Sequence, residues 1–207
     1  MKSVVEIRKD FLTEEEINLL IDELPQFFQD PVDTNNSNLK HTQSALGLKT
    51  SGPDFNLKET DTLLKLTGNK KTDEALKLFT KVLFRMKKEM EKFFGIEFVF
   101  IQCNLNRILP GGHNWPPHID DELGNHKGME YAALLYLGDY GKDFTGGEII
   151  FSLEDLIIQP QKGLFVFFKA DSKAPHGVKE VLSGHRDGII VFLGDAKQIK
   201  EKSNEQN

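Results

Sequence analysis

The sequence is poor in cysteine and tryptophan, and it contains no long apolar run. Cys103 is the single cysteine of the 207 residues, which excludes an internal disulfide framework and fits a reducing compartment. No segment has the length and hydrophobicity of a signal peptide or a membrane span, so we expect a cytoplasmic protein that does not enter a membrane. Basic residues are in the minority, and the formal net charge of −6 makes nucleic acid an unfavourable partner.

Phenylalanine, in contrast, is abundant, with 16 residues against 3 tyrosines and 1 tryptophan. Hydrophobic residues make up 39% of the chain and charged residues 28%, which is the balance of a globular protein. A chain of this length usually folds as one domain. We therefore expect one structural domain with a phenylalanine-rich core.

The first part of the chain predicts two amphipathic helices joined by a polar segment. Thr13 and Glu16 have the spacing of a capping box at the start of the first helix. A second apolar stripe at helical spacing predicts a helix from about Thr72 to a C-cap at Gly95. Residues 31–69 between the helices are polar and aperiodic, and a connection of that length predicts a functional lid or a mobile segment.

After the second helix, the pattern changes to short β-rich runs that Gly, Pro, Asp and Asn separate. This spacing predicts an antiparallel barrel or sandwich over residues 96–195. Residues 1–95 are expected to pack on it as helices and a polar loop. Residues 196–207 are expected to form a polar tail that frays. Gly146 and Gly147 are expected to allow a tight approach between strands.

Two histidines and one aspartate form a candidate metal site. In an extended strand the side chains of residues i and i+2 lie on the same face, so His118 and Asp120 can bind one metal ion together. His176 is far enough along the chain to supply a third ligand from a neighbouring strand. Two imidazoles and one carboxylate are the ligands of non-haem Fe(II) oxygenases, and they leave coordination positions open for a cosubstrate and O2.

Three nearby residues offer alternative ligands. Asp121 and Glu122 place further carboxylates directly after Asp120, but on a strand Asp121 would face away from His118. His185 would point to the opposite face of its strand from Arg186, the next residue. We therefore leave His185 out of the predicted metal site.

The surroundings of these residues resemble the Fe(II)- and 2-oxoglutarate-dependent dioxygenases, most closely their prolyl 4-hydroxylase-like branch. Four blocks carry the resemblance in the family's order: PGG and WPPHID within 110–120, AALLYL and FTGGE within 132–148, PQKGLFVFF at 160–168, and HGVKEVLSGHR at 176–186. Each block is modest alone, but four in register are specific. The resemblance implies a mainly β protein, a double-stranded β-helix (a cupin-like jelly roll) with N-terminal helices packed against one sheet.

The resemblance also implies roles for single residues. His118, Asp120 and His176 would hold Fe(II), and Arg186 would bind the distal carboxylate of 2-oxoglutarate. A guanidinium suits that role because it forms a bidentate fork with a carboxylate and stays charged when buried. Tyr136 matches a tyrosine that donates to the same carboxylate in some relatives. The alternative is a buried tyrosine that only packs the barrel.

The sequence departs from the family pattern at Leu109. Prolyl hydroxylases usually have a cosubstrate-contacting tyrosine at this position, nine residues before the first metal-binding histidine. Asn106, three residues upstream, is a candidate to supply a compensating hydrogen bond. Trp115 replaces a common tyrosine at the mouth of the pocket, either as a platform for substrate or as a packed aromatic residue.

The resemblance therefore predicts an enzyme that hydroxylates an unactivated C–H bond and converts 2-oxoglutarate and O2 into succinate and CO2, with ascorbate as a candidate reductant. The favoured substrate is a prolyl residue in a peptide or protein. The first alternative is a free amino acid or another small molecule. A nucleic-acid demethylase and a jelly roll that binds a metal without turnover rank lower.

Overall fold

The computed structural model describes residues 4–29, 41–49, 65–112, 114–120 and 128–204. No helix in these ranges is long and apolar enough to cross a membrane. In chain order the elements are β1 (Val5–Arg8), α1 (Glu14–Glu23), a 3-10 helix (Pro25–Phe27), β2 (Thr42–Lys49), α2 (Lys70–Phe94), β3 (Phe98–Ile108), β4 (Trp115–His118), β5 (Tyr131–Tyr136), β6 (Phe144–Gly146), β7 (Ile149–Phe151), β8 (Leu156–Ile158), β9 (Phe165–Lys169), β10 (His176–Val178), β11 (Val181–Gly184), β12 (Arg186–Asp195) and α3 (Ala196–Asn204).

The strands form three antiparallel sheets. The major sheet has six strands in the order β1-β9-β5-β12-β3-β2, and the minor sheet has four in the order β4-β10-β7-β8. β11 and β6 form a two-stranded ribbon. The last strand of the chain, β12, lies between β5 and β3 in the major sheet. The antiparallel β core with N-terminal helices confirms the predicted architecture.

Two hydrophobic cores lie on opposite faces of the major sheet, because successive side chains of a strand alternate between its faces. The outer face joins α1 and α2 in one buried cluster, to which the sheet contributes Leu105, Leu135, Phe165, Phe167 and Ile189. The inner face belongs to a second cluster that includes Tyr136, Ile149, Phe151, Val166 and Phe168. Buried phenylalanines in both clusters confirm the predicted phenylalanine-rich core.

Both predicted helices are present. α1 begins with the predicted capping box, in which Glu16 N donates to Thr13 Oγ1 at 3.2 Å and Thr13 N donates to Glu16 Oε2 at 3.0 Å. α2 begins at Lys70, slightly earlier than predicted, because the Asn69 side chain accepts hydrogen bonds from two N–H groups of the first turn. It ends at the predicted C-cap, Gly95, with a φ of 72°.

The two edge strands of the major sheet differ from the sequence expectation. β1 pairs with β9, and β2 pairs with β3. β2 lies within residues 31–69, which the sequence predicts to be aperiodic. A bulge after Ala45 interrupts the alternation of β2, and Leu46 takes a φ of 54° there, so the sequence lacks the regular pattern of a strand. The remainder of the predicted lid at 31–40 and 50–64 lies outside the described residues.

The polar C-terminal segment also differs from expectation, since residues 196–204 form α3. Asp195 caps this helix: its Oδ1 accepts hydrogen bonds from the backbone N–H groups of Lys197 at 2.8 Å and Gln198 at 3.3 Å. A side-chain cap of this kind stabilises the first turn of a helix. Residues 205–207 lie outside the described ranges.

The glycine pair Gly146 and Gly147 has the predicted role of a close approach. Both residues have positive φ, 76° and 71°. A Cβ at Gly146 would lie 2.1 Å from the carbonyl oxygen of Glu180, and a Cβ at Gly147 would lie 2.9 Å from Cδ of Arg186. Gly146 therefore leaves room for the backbone at Glu180, and Gly147 leaves room for the Arg186 side chain.

Replacing Gly147 with alanine is expected to lower the free energy of unfolding more than the same change at Gly141. Both positions need a left-handed backbone, which costs an alanine about 1–2 kcal/mol. At Gly141 (φ 78°) no described atom lies within 4 Å of the added Cβ, whereas Gly147→Ala also presses on Arg186 and Val181. That overpacking adds about 1–3 kcal/mol. Urea unfolding measures the difference, and equal losses would contradict the close approach.

Candidate metal and cosubstrate site

β4 and β10 bring two histidines together. His118 ends β4, His176 begins β10, and the two residues are direct cross-strand partners. Their ring centroids lie 4.6 Å apart. Gly177 permits this pairing, because a Cβ there would lie 2.8 Å from the carbonyl oxygen of Trp115.

Asp120 lies in the turn after β4, not on the strand itself. Its Oδ1 is 3.6 Å from Nε2 of His118, and its Oδ2 is 3.7 Å from Nε2 of His176. One ligand atom from each residue lies within 4.8 Å of the others. The three predicted ligands therefore converge, and His176 arrives from a neighbouring strand as the sequence indicated.

Backbone carbonyls orient both imidazole rings. Nδ1 of His118 lies 2.9 Å from the carbonyl oxygen of Pro116, and Nδ1 of His176 lies 3.2 Å from that of Ala174. A carbonyl oxygen only accepts hydrogen bonds, so Nδ1 carries a proton in both rings. When a ring is neutral, its lone pair is therefore on Nε2, the atom that faces Asp120.

The two histidines differ in their electrostatic surroundings. The carboxylate of Asp120 raises the pKa of His118 above its ordinary value. Burial lowers the pKa of His176, because a charged imidazolium loses its hydration there. Burial therefore favours the neutral, metal-binding form of His176, whereas Asp120 favours the protonated form of His118.

A divalent cation fits the donor set. Two imidazole nitrogens and a carboxylate converge, and all of them offer lone pairs when the rings are neutral. Oδ2 of Asp120 is buried and has no hydrogen-bond partner among the described residues. A buried oxygen of this kind is costly unless something satisfies it, and a bound cation would do so.

Aromatic rings surround the place where the side chains of His118, Asp120 and His176 meet. The ring of His176 lies 4.8 Å from that of Phe168 and 5.7 Å from that of Phe151. Trp115, which is partly exposed, lies 5.7 Å from the ring of His118. Phe151 and Phe168 share one buried cluster with Tyr136, which connects the three ligands to the inner face of the major sheet.

The predicted cosubstrate residues lie on that inner face. Arg186 is only 3% exposed, and its guanidinium carbon is 5.0 Å from the centre of the Tyr136 ring. Its Nη2 donates to Tyr136 Oη over a long 3.4 Å. Gly188 lies between Asn106 and Tyr136 in the sheet and leaves space between their side chains. The residues that line this small cavity include Asn106, Ile108, Leu134, Tyr136, Arg186 and Gly188.

The sequence reasoning missed Ser44. Its Oγ donates a hydrogen bond to Oδ1 of Asn106 at 2.9 Å across β2 and β3. The polar residues Thr42 and Ser44 at i and i+2 were the available signal, but the bulge at Ala45 hides the strand that carries them. Leu109, where the family has a tyrosine, lies just after β3, and its backbone N–H donates to the carbonyl oxygen of His41.

The two other histidines that the structure describes, His41 and His185, do not join the three ligands. His185 is half exposed, and its Nε2 lies 3.7 Å from Asp187, which agrees with its exclusion from the predicted site. The ring of His41 packs against Gly111 and Gly112. The other residues considered lie outside the described residues: His113, Asp121, Glu122 and His126.

Comparison with known families gives this geometry a context. Residues 103–194 match the 2OG-Fe(II) oxygenase superfamily. The chain is 29% identical over 132 residues to the "2-oxoglutarate and iron-dependent oxygenase domain-containing protein 3" of Xenopus tropicalis, a match over 58% of this chain and 41% of the relative. It is 38% identical over 69 residues to prolyl 3-hydroxylase 2 of Rattus norvegicus, over 31% of this chain and 9% of the relative. The matches thus span less than half the length of these curated relatives.

The fold is similar to that of a prolyl hydroxylase from Trichoplax adhaerens, which was solved in complex with a peptide fragment of the hypoxia inducible factor oxygen degradation domain. The TM-score is 0.62 at 16% identity, over 96% of this chain and 87% of that one. This likeness confirms the predicted double-stranded β-helix. The segment that matches the family model also contains the three converging ligands and Arg186. The segment 103–194, which carries these four residues, is thus similar to the 2OG-Fe(II) oxygenase superfamily.

Proposed function

We propose that this protein is a dioxygenase that uses Fe(II), 2-oxoglutarate and O2 to hydroxylate an unactivated C–H bond, with a prolyl residue of a peptide or protein as the substrate. One observation carries the proposal. Two imidazole nitrogens converge on the carboxylate of Asp120, whose buried Oδ2 has no hydrogen-bond partner among the described residues.

The metal would be held by Nε2 of His118, Nε2 of His176 and a carboxylate oxygen of Asp120. This set leaves positions for the cosubstrate and O2. Bound Fe(II) supplies the chemistry that couples decarboxylation of 2-oxoglutarate, to succinate and CO2, with hydroxylation of the substrate. The carbonyl oxygens of Pro116 and Ala174 keep the two rings turned toward the metal.

Arg186 would bind the distal carboxylate of 2-oxoglutarate. A buried guanidinium forms two parallel hydrogen bonds with a carboxylate and remains charged. The Tyr136 hydroxyl and the Asn106 amide line the same cavity and would add hydrogen bonds. Because Ile108 and Leu134 make the rest of this wall apolar, water screens the charged pair little.

Aromatic side chains would keep water from the reacting centre. Phe151 and Phe168 are almost fully buried beside His176. Their rings offer no hydrogen-bonding groups to water, so this side of the site would be apolar during the reaction. Exclusion of water of this kind protects reactive intermediates from side reactions.

Two observations favour a prolyl substrate. Trp115 presents a partly exposed ring beside His118, and a flat aromatic surface packs well on a saturated pyrrolidine ring. The names of the relative and of the solved structure described above refer to prolyl hydroxylation. A free amino acid or another small molecule is the alternative, because the same barrel would accept it. The net charge of −6 disfavours a nucleic acid.

The lone thiol supports a reducing cellular setting. Cys103 is buried and free, and burial raises its pKa to about 12, so it is not a reactive thiolate. A cytoplasmic location suits a protein without disulfides. Ascorbate is the candidate reductant for restoring the metal after unproductive cycles.

Alanine at any of the three ligands is expected to abolish Fe(II)-dependent succinate release. His118→Ala, Asp120→Ala and His176→Ala each remove one of the donor atoms that fix the metal. The measurement is succinate formed from 2-oxoglutarate, together with bound iron per protein.

Asp121→Ala and His185→Ala are the matched controls, and both should retain most of the activity. An inactive Asp121→Ala together with an active Asp120→Ala would overturn the ligand assignment. If the protein binds metal but releases no succinate with any substrate tested, the result would instead support the alternative of a non-catalytic jelly roll.

Arg186→Ala is expected to raise the KM for 2-oxoglutarate while iron binding survives. Loss of a buried charge-assisted pair costs about 2–5 kcal/mol, which corresponds to a rise of roughly 30- to 5,000-fold. Arg186→Lys keeps the charge but loses the fork, so its KM should lie between the two. Unchanged 2-oxoglutarate affinity in a folded Arg186→Ala protein would contradict the assignment.

The substrate class is tested by comparing stimulators of succinate release. Proline-containing peptides should stimulate it and gain the mass of one oxygen atom, whereas matched peptides with alanine in place of proline should not. Stimulation by free amino acids alone would support the alternative. Parallel reactions without ascorbate show whether it sustains turnover.

A further inference from the structure

Ser44 lies on a strand outside the segment that matches the family model, yet its side chain bonds to a residue that lines the candidate cosubstrate cavity. It belongs to β2, whereas the matched segment covers residues 103–194. Its Oγ donates to Oδ1 of Asn106 at 2.9 Å. Asn106 is 9% exposed and lines the same cavity as Arg186 and Tyr136.

The backbone fixes Ser44 on both sides. Its N–H and carbonyl groups exchange hydrogen bonds with Gln29, at 3.0 and 2.9 Å, on the side away from β3. Ser44 and Asn106 are nevertheless direct cross-strand partners. They therefore form the narrow, non-hydrogen-bonded type of antiparallel pair, in which side chains lie closest. The contact between the two side chains follows from strand geometry.

The direction of this hydrogen bond determines which end of the amide the cavity meets. Oδ1 of Asn106 is engaged by the Ser44 hydroxyl, so the Nδ2 amino group is the polar end left for the cavity. An amino group only donates hydrogen bonds, and a carboxylate only accepts them. If the amide were reversed, its oxygen would face the carboxylate that Arg186 holds, and the contact would be repulsive.

We infer that Ser44 is a positioning residue for 2-oxoglutarate: its hydroxyl orients the Asn106 amide so that Nδ2 donates to the distal carboxylate beside Arg186. The inference rests on the proposed function and deepens it. The β2–β3 pair thereby supplies an oriented donor to the cavity from a strand outside the matched segment.

Thr42 provides a matched control on the same strand. It lies two residues before Ser44 and therefore on the same face of β2. It is 4% exposed, and its Oγ1 has no hydrogen-bond partner among the described residues. Thr42→Val removes this hydroxyl at nearly constant shape. Any change in 2-oxoglutarate affinity in this variant would therefore come from the loss of a polar group on β2 in general, and not from the contact with Asn106.

The experiment measures 2-oxoglutarate binding by calorimetry, with the protein loaded with Zn(II) so that no turnover occurs. Ser44→Ala is expected to raise the Kd for 2-oxoglutarate about 3- to 10-fold, as the loss of one oriented hydrogen bond does. Thr42→Val should leave the Kd within about twofold of the original protein, because its hydroxyl has no described partner to lose. With Fe(II), Ser44→Ala should raise the KM for 2-oxoglutarate and leave kcat unchanged.

Coupling to Asn106 separates positioning from a general structural effect. In an Asn106→Ala protein, adding Ser44→Ala should change the Kd no further, since the group that Ser44 orients is gone. Ser44→Thr and Ser44→Val form a nearly isosteric pair in case the alanine variant does not fold. The threonine variant keeps the hydroxyl and should bind nearly as the original protein does, and the valine variant should bind as Ser44→Ala is expected to.

Three results would overturn the inference: an unchanged Kd in both the alanine and valine variants, an equal rise in Thr42→Val, or an undiminished effect of Ser44→Ala in the Asn106→Ala protein. The proposed function fails in a different way. If the Zn(II)-loaded original protein does not bind 2-oxoglutarate, the dioxygenase proposal itself is wrong. If it binds, and Arg186→Ala weakens binding while Ser44→Ala does not, only the role of Ser44 is wrong.

Discussion

The antiparallel pairing of β4 with β10 is the contact on which the site depends. It places His118 opposite His176, and hydrogen bonds from both Nδ1 atoms to backbone carbonyls orient the rings. Asp120 then directs its carboxylate at the Nε2 atoms of both rings. The cost of this arrangement lies in Oδ2 of Asp120, which is buried and has no hydrogen-bond partner among the described residues. Proteins often tolerate such a cost at functional sites.

Side chains alternate along β12, so residues that would bind the cosubstrate and residues that stabilise the sheet lie on opposite faces. Arg186 points to the inner face, beside Tyr136. Its neighbour Asp187 forms a two-pronged ion pair with Arg107 on β3, with N–O distances of 2.9 and 2.6 Å. A slip of one residue in the register of β12 would exchange these two faces. The Asp187–Arg107 pair therefore helps to keep Arg186 in the cavity, since it satisfies two charges only in the observed register.

The parts of the molecule that could be predicted from sequence are those with short-range signals. The capping box of Thr13, the C-cap at Gly95 and the i, i+2 spacing of His118 and Asp120 each depend on a few adjacent residues. β2 could not be predicted, because its bulge breaks the period of two and its partner, β3, lies far along the chain. The contact between Ser44 and Asn106 spans 62 residues, and only the three-dimensional pairing of strands reveals it.

The cavity wall and the strand that supports Asn106 therefore come from two parts of the chain with different constraints. The matched segment supplies the metal ligands and the arginine, whose chemistry permits few substitutes. β2 is held by backbone hydrogen bonds to Gln29 and by its pairing with β3, and most side chains allow such bonds. The position of β2 is thus fixed by its backbone, and its side chains can be substituted without loss of the strand. A polar group such as the Ser44 hydroxyl can then adjust the affinity for the cosubstrate without altering the metal site, because the two lie on different sheets.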